Sequence, residues 1–165
     1  MTRRVVWWAV VAALILATLA AGALGGGLML VKNRGLPANR AANRHAVLEV
    51  AKADVAKVLT YTADTVEQDT RAAEEVLTGA FLDYYRQFAR QQVIPAARTN
   101  GTTATATVTH AGVESLTADK ASILLFVDQS TTSRGKPAPV VTASSVRAGL
   151  TKVSGKWLID SMNPI

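Results

Sequence analysis

The chain of 165 residues carries 18 Lys and Arg against 12 Asp and Glu, a formal net charge of +6, and it contains no cysteine. The lack of cysteine excludes disulfides, thiolate metal ligands, a cysteine nucleophile and a lipid anchor attached through cysteine. The positive charge forms no dense tract and there are only two histidines, so the composition argues against nucleic-acid binding and against a histidine-rich metal site.

An uncharged, apolar segment follows Arg3 and Arg4 and runs from residue 5 to residue 31. At about 1.5 Å per residue, a helix of this length exceeds the hydrocarbon core of a bilayer, which is about 30 Å thick. The apolar core of a signal peptide is shorter, typically about 7 to 15 residues. We therefore predict a cytoplasmic N-terminus over residues 1–4 and a transmembrane helix over residues 5–31, in preference to a cleaved signal peptide.

Small residues line part of this apolar segment. Gly22 and Gly26 form a GxxxG pattern, which allows close packing against the helix of a partner membrane protein. A helix so rich in small residues can also meet the pattern by chance, and both interpretations stay open. Basic residues lie on both flanks of the segment, so the positive-inside rule does not decide its orientation.

A linker and a long helix are predicted next. Glycine and proline punctuate the chain after the apolar segment, which indicates a linker over residues 32–38 and a domain over residues 39–165. Apolar residues then recur at helical spacing. They predict a first amphipathic helix from near Ala38 to about Thr60.

Two shorter helices are predicted to follow. The stretch from Thr65 to Gln68 fits a capping box at the start of a second helix, which runs to about Leu77. Aromatic residues at positions i, i+3, i+4 and i+7 predict a third helix, which ends near Gln92 because Pro95 follows. The members of this aromatic stripe are Phe81, Tyr84, Tyr85 and Phe88.

After Pro95 the period of the pattern changes from 3.6 to 2, which indicates strands. Four strands are predicted, over residues 103–109, 121–129, 140–153 and 156–161, with a polar loop over residues 131–139 and a turn at Ser154 and Gly155. Because no helix separates these strands, they should form an antiparallel meander. The predicted fold class is α+β, with helices packed on one face of a curved sheet that can enclose a conical cavity.

The aromatic stripe, with Phe126 and Trp157, is interpreted first as core. The functional alternative is that these side chains line a cavity for an acyl chain or a sterol, because apolar pockets with few polar groups suit such ligands. Two adjacent tyrosines also indicate that at least one hydroxyl reaches a rim or an interface.

Catalysis on such a domain would need a carboxylate or histidine inside the cavity. Asp83 is the nearest candidate, but Arg86 lies three residues away and an ordinary surface pair explains it better. His110 is better explained as a residue near the end of a strand, and nothing points specifically to His45 as a pH sensor. We therefore predict a protein that is not an enzyme, with no catalytic, cofactor-binding or metal-binding residue.

Several short stretches, taken together, resemble the Mce-associated membrane proteins, small single-pass proteins of actinobacteria linked to the Mce (mammalian cell entry) lipid importers. The stretches are residues 58–61 (VLTY), 77–81 (LTGxF), 93–97 (VIPAA), 123–129 and 155–159 (GKWLI). The resemblance implies a cell-membrane protein with a cytoplasmic N-terminus and an extracytoplasmic, cystatin-like cone domain of the kind found in nuclear transport factor two. It also implies an accessory role in stabilising or coupling a lipid transporter.

The expected partners are therefore the lipid bilayer and Mce transporter subunits or other membrane proteins, with a lipid or sterol as a candidate ligand and no nucleic acid. Two alternatives from other classes stay open. One is the bridging inner-membrane component of a type IV secretion-like channel, which shares the plan of an anchor and a cone. The other is a membrane-tethered enzyme of the isomerase type.

Overall fold

The structure of the protein is a computed structural model that describes the backbone of residues 37–165, and the side chains of residues 41–165 apart from residues 136 and 137. In this part of the chain, no helix combines the length and the apolar character that crossing a membrane requires. Residues 43–165 form one compact unit, which is the folded domain.

The predictions for the N-terminal part of the chain lie outside the described residues. They are the cytoplasmic N-terminus over residues 1–4, the transmembrane helix over residues 5–31 and the packing face at Gly22 and Gly26. Of the linker predicted over residues 32–38, only the end is described, and it is already helical from Pro37.

Within residues 37–165, four α-helices and one π-helical turn precede the sheet. They are α1 (Pro37–Leu59), α2 (Val66–Glu74), α3 (Gly79–Phe88), the π-helical turn (Ala89–Val93) and α4 (Ile94–Asn100). The long helix α1 buries Val47, Ala51 and Val55 completely, because residues four apart fall on one face of a helix. This apolar face fixes α1 onto the rest of the domain.

Two predictions about helix ends are wrong. Pro95 does not stop the third helix, because the chain passes through the π-helical turn and the proline then occupies the first turn of α4, where no N–H is needed. Thr65 forms no capping box with Gln68. Its hydroxyl instead donates to the carboxylate of Asp69 at 2.6 Å, and the same carboxylate accepts from the backbone of Thr62 at 3.1 Å.

Four antiparallel strands pair in the order in which they occur along the chain, as predicted. They are β1 (Thr103–Leu116), β2 (Lys120–Ser133), β3 (Lys136–Val153) and β4 (Lys156–Pro164). Ser154 and Gly155, both with positive φ, join β3 to β4, which is the backbone that a tight two-residue hairpin requires. The predicted α+β class, with helices on a four-stranded antiparallel meander, is confirmed.

The strands are longer than the sequence pattern indicated. β1 continues to Leu116 because two irregularities, after Val108 and after Val113, break the alternation of side chains without ending the pairing with β2. The predicted loop over residues 131–139 is mostly strand, with only a turn at Arg134 and Gly135 between β2 and β3.

The core lies between the helices and the inner face of the sheet. Its largest fully buried side chains are Ile123, Leu125, Leu150, Ile159, Val47, Val55, Val66 and Val127. Two loop segments each bind an edge strand at a single position. Tyr61 exchanges two backbone hydrogen bonds of 2.9 Å with Ala104 on β1, and Ile159 on β4 binds the backbone of Val76 and Thr78, also at 2.9 Å. The edges therefore tie the helical layer to the sheet.

The outer face of the sheet carries a polar clamp across three strands. Arg147 on β3 donates to both oxygens of Glu114 on β1, at 2.8 and 3.1 Å, and Ser122 on β2 donates to the same carboxylate at 2.7 Å. These bonds lower the pKa of the Glu114 carboxyl, with the hydrogen bond from Arg147 as the larger cause. The clamp holds the register of the three strands from the solvent side.

Candidate functional site

Helix α3 divides its aromatic side chains between two environments. Tyr85 is buried among the core residues, whereas Tyr84, the preceding residue, is 61% exposed. Consecutive helical residues point about 100° apart, so a helix of ten residues that packs along one side cannot bury both rings. The predicted stripe is therefore one buried tyrosine beside an exposed row.

Three rings, those of Phe81, Tyr84 and Phe88, form a row along α3 that we call the aromatic ridge. The Phe81 and Tyr84 rings have centroids 6.3 Å apart and planes 21° from parallel. The Tyr84 and Phe88 rings are 6.1 Å apart and 10° from parallel. Phe88 is 43% exposed, and Phe81 is half-buried against the core. Exposed apolar surface of this kind typically marks a contact site.

The interpretation of the whole aromatic set as core is therefore wrong for three of its members. Tyr84 and Phe88 lie on the ridge, and Phe126 lies on the outer face of the sheet, 46% exposed. Phe126 faces outward because its neighbours Leu125 and Val127 are buried on the inner face, and side chains alternate along a strand. The aromatic side chains do not converge on one cavity.

Tyr85 is held in the core by its ring more than by its hydroxyl. The hydroxyl makes one long hydrogen bond, 3.5 Å, to the backbone carbonyl of Val58. Burial raises the pKa of Tyr85 to about 12, and the negative charges of Glu74 and Asp69 add to the shift. This tyrosine stays neutral at any physiological pH.

Trp157, the last of the predicted aromatic residues, is half-buried at the start of β4 and packs against the core. The ammonium of Lys152 on β3 lies 5.4 Å from the centre of its ring, within the range of a cation–π contact. Because Lys152 and Trp157 are paired in the β3–β4 register, this contact supports the hairpin.

A shallow hollow of about 430 Å³ lies on the outer face of the sheet. Phe126, His110, Asp128 and Ser145 contribute to its walls together with Ile165. His110 is exposed and is paired with Phe126 across β1 and β2. The hollow is therefore on the side of the sheet that faces away from the helices, not inside the predicted cone.

The residues considered for catalysis are dispersed. Asp83 is exposed on α3, and its carboxylate lies 3.8 Å from Arg86, as the surface-pair interpretation predicts. Arg86 itself binds Glu74 more closely, at 2.8 Å. His45 is exposed on α1. Asp83 belongs to the helical layer and His110 to the opposite face of the sheet, so they cannot act on one substrate.

One carboxylate that the sequence did not single out is Asp54 on α1. Burial raises its pKa, and the positive charge of Lys57, one turn further along the helix, partly offsets the shift. In the sequence, Asp54 lies beside the apolar positions of α1, and that position could have indicated its partial burial. Over residues 41–165, no group of three or more acidic, histidine or cysteine side chains is arranged to hold a metal ion.

Comparison with known proteins relates the chain to proteins of Mycobacterium tuberculosis. It is 41% identical to the protein Rv1362c over 152 residues, and the matched region covers 92% of this chain and 69% of that protein. It is 39% identical over 159 residues to the outer membrane protein Rv1973, which covers 96% of this chain and 99% of that one. The chain belongs to the family of these proteins. No protein-family model matches this member of the Rv1973 family.

Solved structures share the fold of this Rv1973-family domain. An IcmL-like type IV secretion system protein of Legionella pneumophila matches with a TM-score of 0.59 and 13% identity, over 74% of this chain and 93% of that one. The periplasmic domain of DotI matches with a TM-score of 0.58 and 15% identity, over 73% and 94%. CagV, a VirB8 homolog of Helicobacter pylori, matches with a TM-score of 0.56 and 9% identity, over 75% and 96%.

Proposed function

We propose that the chain is a non-enzymatic assembly subunit of a transport machine in the cell envelope. In this proposal residues 5–31 anchor it in the cell membrane as a single span, and residues 39–165 contact other subunits on the extracytoplasmic side. The observation that carries the proposal is the shared fold with secretion-system domains over about three quarters of the chain.

The distribution of side chains supports contact rather than catalysis. The domain uses the space between helices and sheet for a packed apolar core, and it presents the aromatic ridge outward. The groups that could serve as acid or base lie on opposite sides of the sheet. Proteins that work as subunits commonly keep such apolar surface for a partner.

Two kinds of machine fit this role. The fold likeness favours a bridging role of the type IV secretion kind, because the similar solved domains come from such systems. The second candidate is an accessory subunit of an Mce-type lipid importer. It is favoured by the motif resemblance, including GKWLI at residues 155–159, together with the mycobacterial origin of the 39–41% identical relatives.

Affinity purification of the full chain from native membranes separates these candidates. Co-purification of secretion-channel subunits would support the bridging role, and co-purification of Mce transporter subunits or their lipid cargo would support the importer. The double variant Tyr84→Ala, Phe88→Ala tests the aromatic ridge, with Phe126→Ala on the outer sheet face as the matched control. Recovery of neither kind of subunit with the unchanged chain would overturn the proposal.

Location and the enzyme alternative have separate tests. A reporter fused after Ile165 that is active only in the cytoplasm should stay silent, and membrane fractionation should place the chain with the cell membrane. An outer-membrane location, as in the name of Rv1973, would contradict the proposed anchor in the cell membrane. Replacing Asp83 or Asp54 by Asn should leave genetic complementation intact, and loss with a normally folded variant would favour an enzyme.

A further inference from the structure

Strand β3 is longer than the strand that covers its outer edge. β4 pairs with β3 only over Val146–Val153. β3 begins at Lys136, and its first half pairs with β2 on one side. Among the described residues, none pairs with the other side of Ala138–Ser144. We call this stretch the open edge.

The direction of the backbone along the open edge follows from one hydrogen bond. The carbonyl of Ser145 accepts from the backbone N–H of Ile165 at 3.0 Å, so Ser145 points its backbone groups away from β2. In antiparallel strands this direction alternates from residue to residue. Val141 and Ala143 therefore also point N–H and C=O outward, whereas Thr142 faces β2, where it is paired with Gln129.

The side chains of the open edge are all exposed and none is charged. Val140 is 54% exposed and Val141 is 65% exposed, and they lie on opposite faces of the strand. Proteins usually protect an unpaired edge with charges, prolines or bulges. Here Pro139 and an irregularity in the pairing after Thr131 protect only the tip of the hairpin, so the stretch from Val140 to Ser144 has no such protection.

We propose that Val140–Ser144 binds an extended, uncharged segment of a partner subunit by strand addition. The added strand lies antiparallel to β3, in line with β4, and exchanges backbone hydrogen bonds with Val141 and Ala143. Apolar side chains of the segment pack beside the two valines, one on each face. This inference rests on the proposed assembly role, because it names the surface by which the subunit holds its partner.

A second copy of this chain fits the open edge poorly. In a two-fold antiparallel pair centred on Thr142, Pro139 of the second copy would fall opposite Ser145. That position is already occupied, because Ile165 binds the Ser145 carbonyl. Moving the centre toward the hairpin tip sets prolines, which have no N–H to donate, against Val141 and Ala143. A segment from a different protein avoids both conflicts.

The first test is site-specific photocrosslinking of the full chain in native membranes. A photoreactive residue at Val141 should form an adduct with one partner, and mass spectrometry should map it to an uncharged, extended stretch. The matched control carries the same residue at Ser130, which is paired with Val141 but lies inside the sheet on β2. No adduct at Val141, equal adducts at both sites, or an adduct of two copies of this chain would each overturn the proposal.

The second test is substitution of the open edge. Val141→Lys with Ala143→Lys should lower recovery of the crosslinked partner by about tenfold or more, because the added charges and the lost apolar contact of Val141 both oppose strand addition. Ser130→Lys is the control and should leave the recovery of the partner unchanged. In hydrogen exchange, the amides of Val141 and Ala143 should become protected in the complex, whereas that of Thr142 is already protected in the free protein.

The outcomes separate the two proposals. If the unchanged chain recovers transport subunits and the lysine variant recovers them equally, strand addition is wrong and the assembly role stands. If the crosslink at Val141 maps to an extended segment of a protein outside any transport machine, strand addition stands and the assembly role is wrong.

Discussion

The two halves of β3 contain similar residues but differ in the burial of their side chains. In the second half, Val146, Ala148 and Leu150 are buried under the helices. In the first half, Val140 and Val141 are more than half exposed. Both halves alternate along the strand and both pair with β2. The difference therefore comes from what covers them, which is the helical layer and β4 in one case and no described residue in the other.

The largest expected effect on stability comes from shortening a buried side chain beside the covered half of β3. We compare it with shortening an exposed side chain in the open edge. Ile159→Ala, beside the covered half, should lower the free energy of unfolding by about 2–5 kcal/mol, because Ile159 is completely buried. Val141→Ala in the open edge should change it by no more than about 0.5 kcal/mol. Urea unfolding of the full chain in detergent measures both, and equal losses would mean that the open edge is covered.

A second prediction concerns the close approach of β3 and β4. A Cβ added at Gly149 would overlap the Ser161 hydroxyl and lie 2.6 Å from the Asp160 carboxylate. Gly149→Ala should therefore destabilise the fold by about 1 kcal/mol, because both side-chain ends must turn away and give up their mutual hydrogen bond of 3.0 Å. Gly112→Ala on β1 is the matched control, because its added Cβ meets nothing within 4 Å. A thermal shift of equal size in both variants would contradict the structure.

The two adjacent tyrosines give a smaller, pH-dependent effect. Burial raises the pKa of Tyr85 from its ordinary value of 10.0 to about 12 in the fold. The folded state therefore favours the neutral phenol, and the associated stability is complete below pH 10 and is lost as the pH rises toward 12. Tyr85→Phe should flatten this alkaline loss in chemical unfolding, whereas Tyr84→Phe, on the exposed ridge, should leave it unchanged.

The smallest effect is expected at the clamp on the outer face of the sheet. The hydrogen bonds from Arg147 and Ser122 lower the pKa of Glu114, so its contribution to stability is present above the ordinary pKa of 4.5 and is lost as the pH falls. Glu114→Gln should reduce the acid sensitivity of unfolding only slightly, because the group is exposed to solvent. A double-mutant cycle with Arg147→Gln isolates the pair.

The sequence predicted the order of elements well, because repeated patterns record which side of an element is buried. The spacing of Leu48, Ala51 and Val55 predicted α1, and the change to alternation after Pro95 predicted the meander. The extents of the strands were predicted less well. Each irregularity in β1 shifts the alternation by one residue. The alternating pattern in the sequence therefore ends before the pairing with β2 ends.

The aromatic residues were the least predictable part. Helical spacing places Phe81, Tyr84, Tyr85 and Phe88 along one side, but it does not say how wide the covering surface is. The packing surface reaches Tyr85 and stops short of Tyr84. The strand of the open edge was predicted from Val140 onward, but its missing neighbour was not, because the pattern does not show that β4 pairs with β3 only over Val146–Val153.

The π-helical turn over Ala89–Val93 also has a consequence for how the family can diverge. The N–H of Ile94 binds the carbonyl of Ala89, five residues back, so this turn holds one residue more than a regular helix would. Deleting Gln91 or Gln92 would restore the regular helical spacing and leave the following segment, with the buried Ala97, in its present orientation, because the wide turn absorbs one extra residue. A relative with a single-residue gap here can therefore keep the same packing partners.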